Sequence, residues 1–144
     1  MQPQDSYIEP RLRTLRVLWF ALLLSVVMYF IFTLFAMERA EPPGNRSVSF
    51  IFMAIAVISV ILSFVLKQKL LQRSVEQQDI KMVQPAFVVA WAMCEVSALL
   101  GVVEYVVVGR NDYIVLFLLG AGGLLFHFPS RQPLLNASYK KLIN

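Results

Sequence analysis

Three ionisable side chains lie within or at the end of long apolar stretches. Any chemistry or ligand binding in these stretches would depend on them. Glu95 and Glu104 share one stretch, and His127, the only histidine, ends another. On a helix, residues nine positions apart are separated by about 13.5 Å along the axis and by about 180° around it. The two carboxyl groups therefore cannot share a proton or a metal ion, which excludes acid–base catalysis by a carboxylate pair.

The two glutamates occupy different faces of their helix. Glu104 lies on the face of the helix that carries the small residues. We therefore expect a neighbouring helix, or water near the membrane surface, to form the hydrogen bonds of its carboxyl group. Glu95 lies about 140° away from that face. Because burial in lipid favours the neutral acid, Glu95 has two interpretations: a hydrogen-bonded structural group, which we favour, or a candidate ion-binding site.

His127 also has two interpretations. A lone imidazole beside glycines can ligate haem or chlorophyll, since small residues leave room for a macrocycle, or it can form a hydrogen bond at the membrane interface. With a single histidine in the chain, bis-histidine ligation of haem by one chain is impossible. We favour the hydrogen bond and predict no cofactor and no metal site. The sequence has no recognisable set of nucleophile, base and metal ligands, so we predict that the protein is not an enzyme.

The helices that position these residues can be predicted from the composition of the chain. The 144 residues are 58% hydrophobic and 15% charged, against about 45–50% and about 25% in soluble proteins. The apolar residues form four blocks, which we assign as transmembrane spans at 17–37, 48–66, 86–108 and 113–128. Each block approaches the ~20 residues that cross a bilayer. The sequence therefore predicts an all-α, four-helix membrane bundle, with residues 1–144 forming a single domain.

Charge predicts the orientation of this bundle. Ten of the thirteen Lys and Arg residues lie in the two tails and in the loop 67–83, and three lie in the other two loops. By the positive-inside rule both termini are cytoplasmic, and we expect a multi-pass protein of the bacterial cytoplasmic (inner) membrane. The net charge of +4 reflects basic residues that flank apolar spans. This pattern predicts contact with membrane lipids and no nucleic-acid partner.

Small residues predict how the helices pack. In lipid, helices associate where small side chains let their backbones approach closely. The third span has such residues and one carboxylate at alternating intervals of four and three: Ala90, Cys94, Ser97, Gly101 and Glu104. The fourth span has a matching stripe: Tyr113, Leu116, Gly120, Gly123 and His127. An antiparallel hairpin with its turn at 109–112 then places Gly101 level with Gly120, and Ser97 near Gly123.

The second span offers a similar but more widely spaced pattern. Ser49, Ala56 and Ser63 recur at intervals of seven residues, with Ser59 slightly off the line. Intervals of seven keep side chains on one face of a packed helix. We therefore expect this face of the second helix to point into the bundle.

Two resemblances to known families add to this interpretation. The segment Glu95-Val-Ser-Ala-Leu-Leu-Gly-Val-Val103, within residues 91–103, resembles the ion-binding helix of rotary ATPase proteolipid (c-type) subunits. That resemblance implies a proton-carrying carboxyl group at Glu95. Over its whole length the chain resembles a widespread group of uncharacterised small bacterial four-helix membrane proteins. The second resemblance lies in Trp91-Ala-Met-Cys-Glu95, Gly101 and Phe126-His-Phe-Pro129, and it implies the fold but no activity.

Three functions follow as hypotheses. The first, which we favour, is an accessory or scaffolding subunit of a larger bacterial membrane complex, with lipids and other integral membrane subunits as partners. A bundle with little mass outside the membrane and no reactive set of residues suits that role. The second is a proton- or ion-translocating, proteolipid-like protein that acts through Glu95. The third is a haem- or chlorophyll-associated subunit that uses His127.

Overall fold

The computed structural model describes residues 5–41 and 43–138, which form five α-helices and no strand. The helices are α1 (Asp5–Ala36), α2 (Arg46–Glu76), α3 (Val83–Val103), α4 (Tyr113–Phe126) and α5 (Gln132–Ser138). A 3₁₀ turn (Ile80–Met82) precedes α3, and a π-helical turn (Glu104–Val108) continues it. The prediction of an all-α fold is confirmed.

Three helical segments are long and apolar enough to cross a membrane: Ile8–Ala36, Arg46–Glu76 and Ile80–Val108. The fourth predicted span is shorter in the structure. With 14 residues, α4 is about 21 Å long, against about 30 Å for the hydrocarbon core of a bilayer. Length and composition thus support a helical membrane protein.

Two helices extend well beyond the apolar spans predicted for them. α1 begins at Asp5, and α2 continues to Glu76, so most of the predicted loop 67–83 is helical. Residues 67–76 contain no Gly or Pro and are rich in Lys, Gln, Leu and Arg, which are good helix formers. The start of α2 is fixed by Asn45, whose side chain accepts a hydrogen bond from the backbone N–H of Ser47 at 2.9 Å.

The short helix α5 was not predicted. It has only seven residues, of which Leu134 and Ala137 are buried. Two apolar contacts over two turns are too few to produce a periodic signal in the sequence.

α3 is the central helix and packs against α1, α2 and α4. The buried face of α2 consists of small side chains: Ser49, Ala56, Ser59, Ser63 and Ser74. Its exposed face carries large apolar ones, among them Phe50, Ile51, Ile58, Ile61 and Leu62. Small residues inside and large apolar residues outside are the arrangement expected of a helix surrounded by lipid.

The α3–α4 hairpin buries every predicted packing residue: Ala90, Cys94, Ser97, Gly101, Glu104, Gly120 and Gly123. Its register, however, differs from the predicted one. A Cβ atom on Gly101 would lie 2.9 Å from the ring of Phe117, and one on Gly123 would lie 2.7 Å from Cys94 Sγ. Gly101 therefore faces Phe117 rather than Gly120, an offset of about one helical turn.

The π-helical turn accounts for part of this offset. Its five residues wind more widely than an α-helix and advance less along the axis, so α3 uses more residues than α4 to cover the same depth. It ends at Gly109, whose φ of 68° is left-handed and whose N–H donates to the carbonyl oxygen of Glu104 at 2.9 Å.

Candidate functional site

Glu95 is held between α3 and α1. The Ser25 hydroxyl on α1 is 2.8 Å from Glu95 Oε1, and it is also 2.7 Å from the carbonyl oxygen of Leu22. A hydroxyl group has one proton, so it cannot donate fully to both oxygens. Ser25 therefore shares its proton between Glu95 Oε1 and the carbonyl oxygen of Leu22. The partner of Glu95 thus belongs to the same chain.

Glu104 is held by a different helix. It opens the π-helical turn and is fully buried, and the Ser49 hydroxyl on α2 donates to its Oε1 at 2.6 Å. Its Oε2 has no hydrogen-bond partner among the residues that the structure describes. The two glutamates therefore face α1 and α2 separately, as their spacing along α3 requires, and they form no joint site.

His127 directly follows α4 and is fully buried. Its Nε2 is 2.7 Å from Ser63 Oγ, and its Nδ1 is 3.4 Å from Lys67 Nζ. If Lys67 is charged, it can only donate, so Nδ1 accepts and Nε2–H donates to Ser63; this tautomer is assigned from the hydrogen-bond network. Ser63 in turn donates to the carbonyl oxygen of Val60 at 2.6 Å. A neutral imidazole thus satisfies every polar atom of its ring.

Cys94 joins this group of side chains from α3. Its thiol donates to Ser63 Oγ at 3.6 Å. Lys67, which completes the group, places its ammonium 4.3 Å from the centre of the Phe87 ring, a cation–π contact. We call Ser63, Lys67, Cys94 and His127 the His127 cluster; it joins the inner faces of α2, α3 and α4.

Both tryptophans of the chain bind carbonyl groups at the end of α4. Trp91 donates to the carbonyl oxygen of His127 at 3.0 Å, and Trp19 donates to that of Leu124 at 2.7 Å. The last carbonyls of a helix have no partner within it, and in lipid they need one. α1 and α3 therefore fix the point at which α4 ends. No role was predicted for either tryptophan, although a buried indole N–H usually finds an acceptor.

The remaining packing residues bring helices together without exposing reactive groups. Ser97 on α3 donates to the carbonyl oxygen of Leu116 at 2.9 Å, and Gly120 faces the α3 backbone at Cys94 and Ala98. These contacts fix helix positions and offer no group to a substrate.

The contacts described above leave few side-chain atoms free to bind a ligand. An axial ligand of haem or chlorophyll needs a ring nitrogen that faces the macrocycle, whereas both nitrogens of His127 face Ser63 and Lys67. Within residues 5–41 and 43–138, no group of three or more His, Cys, Asp or Glu side chains is placed to hold a metal ion. What the arrangement can do chemically is to accept, donate and hold protons.

Comparisons with protein-family models, curated proteins and solved structures gave no match for this chain.

Proposed function

We propose that the protein is a non-catalytic integral membrane protein with four membrane-spanning helices, located in the bacterial cytoplasmic membrane with both termini in the cytoplasm. Its role is that of an accessory or scaffolding subunit of a larger membrane complex. One observation carries this proposal: Glu95, Glu104 and His127 each have a hydrogen-bond partner within the chain. Each of these hydrogen bonds joins two helical segments of the chain, which is the role that a scaffold requires of its polar groups.

The outward surface supports the same role. From residue 17 onward, the exposed side chains of α1 include large apolar ones, such as Val17, Phe20, Leu24, Met28, Phe32 and Phe35. Such a surface suits lipid tails and the apolar faces of other membrane helices, and it offers little to a polar substrate.

The first test uses Glu95. A scaffold needs only a hydrogen-bonding group of this shape, whereas a translocating carboxyl group has to release its proton. We expect Glu95→Gln to keep copurification with membrane partners and thermal stability in detergent close to wild type. Glu95→Leu removes the hydrogen bond to Ser25 and should lower the stability of α1–α3 packing by about 1 kcal/mol.

Two controls complete this test. Ser25→Ala should resemble Glu95→Leu, and Glu41→Gln, at an exposed position, should have no effect. Proton flux and carbodiimide labelling are measured in the same membranes. If Glu95→Gln assembles normally but abolishes proton movement, and carbodiimide modifies Glu95 selectively in the wild type, the scaffold role fails and proton translocation replaces it.

The second test concerns orientation. Asn45 and Gln77 are both exposed and flank α2, whose 31 residues extend over about 46 Å. In a chain with Cys94→Ser, we expect an impermeant thiol reagent on intact cells to label Asn45→Cys and to reach Gln77→Cys only after the membrane is opened. Labelling of Gln77→Cys alone on intact cells would show that the orientation is the reverse.

A further inference from the structure

The N-terminal part of α1 carries two arginines that have no acidic partner. Arg13 and Arg16 are both exposed, and in the described part of the chain neither forms a salt bridge or a hydrogen bond. Glu9, one turn before Arg13, lies 4.0 Å from Arg131. Residues three positions apart are neighbours on a helix surface, so the two guanidinium groups can bind one anion together.

Arg16 lies at the contact between α1 and the end of α4. Its guanidinium carbon is 5.9 Å from the centre of the Phe128 ring, and the same ring packs edge-to-face against Trp19 at 5.0 Å. Large exposed apolar side chains begin directly after Arg16, at Val17. Tryptophan beside arginine at the end of an apolar stretch is typical of the membrane interface, where the lipid headgroups lie.

The surface around the two arginines combines positive charge with apolar side chains. A groove of about 930 Å³ is lined by Arg13, Arg16, Val17 and Phe20, together with Glu9 and other residues of α1. A phosphate group with an attached hydrocarbon chain matches this combination, because guanidinium groups bind phosphate oxygens and apolar side chains pack against the hydrocarbon.

An apolar crevice of about 170 Å³ lies further along the contact between α1 and α4. Its lining is entirely apolar and includes Val27 and Phe30 of α1 and Phe117 and Ala121 of α4. Val27 and Phe30 follow Arg16 by about 17 and 21 Å along the helix axis and lie within about 40° of its direction. One half of the hydrocarbon core is about 15 Å thick. An acyl chain whose headgroup lies at Arg16 therefore ends near this crevice.

We propose that the contact between α1 and α4 is a binding site for one anionic phospholipid molecule. The phosphate accepts hydrogen bonds from Arg13 and Arg16, and one acyl chain follows α1 and enters the crevice at Ala121. The crevice is too small for a second helix, whose diameter with side chains is about 10–12 Å. The site rests on the proposed membrane location of the chain and does not depend on the scaffold role.

Lipid titration of the purified full-length protein tests the headgroup preference. Protein stripped of lipid in detergent is titrated with phosphatidylglycerol or phosphatidylcholine, and bound lipid is counted by native mass spectrometry. We expect one phosphatidylglycerol molecule to bind about tenfold more tightly than phosphatidylcholine. The reason is that phosphatidylcholine carries its own cation beside the phosphate.

A matched pair of arginine variants locates the headgroup. Arg16→Gln should weaken phosphatidylglycerol binding about tenfold. Arg46→Gln should leave the affinity unchanged. Arg46 is also exposed and also lies over a phenylalanine ring, that of Phe50 at 5.3 Å, but it is at the start of α2.

A second pair of variants locates the acyl chain. Ala121→Leu fills the crevice and should weaken the binding of long-chain phosphatidylglycerol, while a short-chain phosphatidylglycerol that does not reach the crevice should bind as to wild type. Gly122→Leu provides the control, because a Cβ atom on Gly122 would meet nothing within 4 Å, and it should leave both affinities unchanged.

Several outcomes would overturn the proposal. Equal affinity of the wild type for the two lipids would exclude an anionic site, and equal losses in Arg16→Gln and Arg46→Gln would assign the preference to overall charge. If Ala121→Leu binds long-chain lipid normally but converts a wild-type dimer to a monomer, the crevice receives a second copy of the chain. Should a variant fail to fold, the wild-type comparison of the two lipids decides. An error in the membrane location would appear separately, as a failure of the wild type to insert into lipid nanodiscs.

Discussion

Gly120→Leu is expected to destabilise the bundle strongly, because this glycine of α4 faces the backbone of α3. A Cβ atom at this position would lie 3.0 Å from the carbonyl oxygen of Cys94 and 3.1 Å from the backbone nitrogen of Ala98. Both contacts are with the α3 backbone, which can give way only if the helices separate. We expect a loss of about 3 kcal/mol in the free energy of unfolding, measured by thermal or denaturant unfolding in detergent.

Gly122→Leu provides a matched control in the same helix. A Cβ atom on Gly122 would meet nothing within 4 Å. Both substitutions replace a helical glycine by a better helix former, so any gain from helix propensity is shared. Gly122→Leu should leave stability unchanged or slightly raised. An equal loss in the two variants would contradict close packing of α3 and α4 at Gly120.

The inner faces of the helices could be predicted because only small residues let helix backbones approach closely in lipid. Small residues such as Ser49, Ser63 and Gly101 lie inside, since in lipid close backbone contact takes the place of hydrophobic burial as the source of association. Residue type and spacing were therefore enough to identify which face of α2, α3 and α4 packs.

The register between α3 and α4 could not be predicted in the same way. It depends on the π-helical turn, and this turn is held by Gly109 and by the contact of Gly44 with Val108. That contact joins residues far apart in the sequence, and nothing in the local sequence distinguishes a π turn from an α-helical one.

The hydrogen-bond partners of the ionisable residues could not be predicted either. The spacing along α3 indicated that Glu95 and Glu104 meet different neighbours, but not which hydroxyl each would find. Ser25, Ser49 and Ser63 lie 70, 55 and 64 residues from their partners. Each is an ordinary serine in an apolar helix, and only tertiary packing gives it a role.

These three serine pairs have a common physical effect. Ser25–Glu95 joins α1 to α3, Ser49–Glu104 joins α2 to the end of α3, and Ser63–His127 joins α2 to the end of α4. Apolar helix faces in lipid have similar packing energy in several registers, whereas a polar pair is satisfied in only one. One such pair at each of these contacts therefore specifies how the helices align.

His127→Ala is expected to have an effect comparable to that of Gly120→Leu. The change removes the ring contacts with Ser63 and Lys67 and leaves a cavity at a fully buried position. Lost hydrogen bonds and the cavity together should lower the free energy of unfolding by about 3 kcal/mol.

Phe126→Ala, one residue earlier and at a side chain that is 80% exposed, should lower the free energy of unfolding far less. Unfolding followed by tryptophan fluorescence compares them, because Trp91 binds the backbone of His127. His127→Asn, which retains a donor for Ser63, should lie between wild type and His127→Ala. If Phe126→Ala is as destabilising as His127→Ala, the His127 cluster does not hold the end of α4.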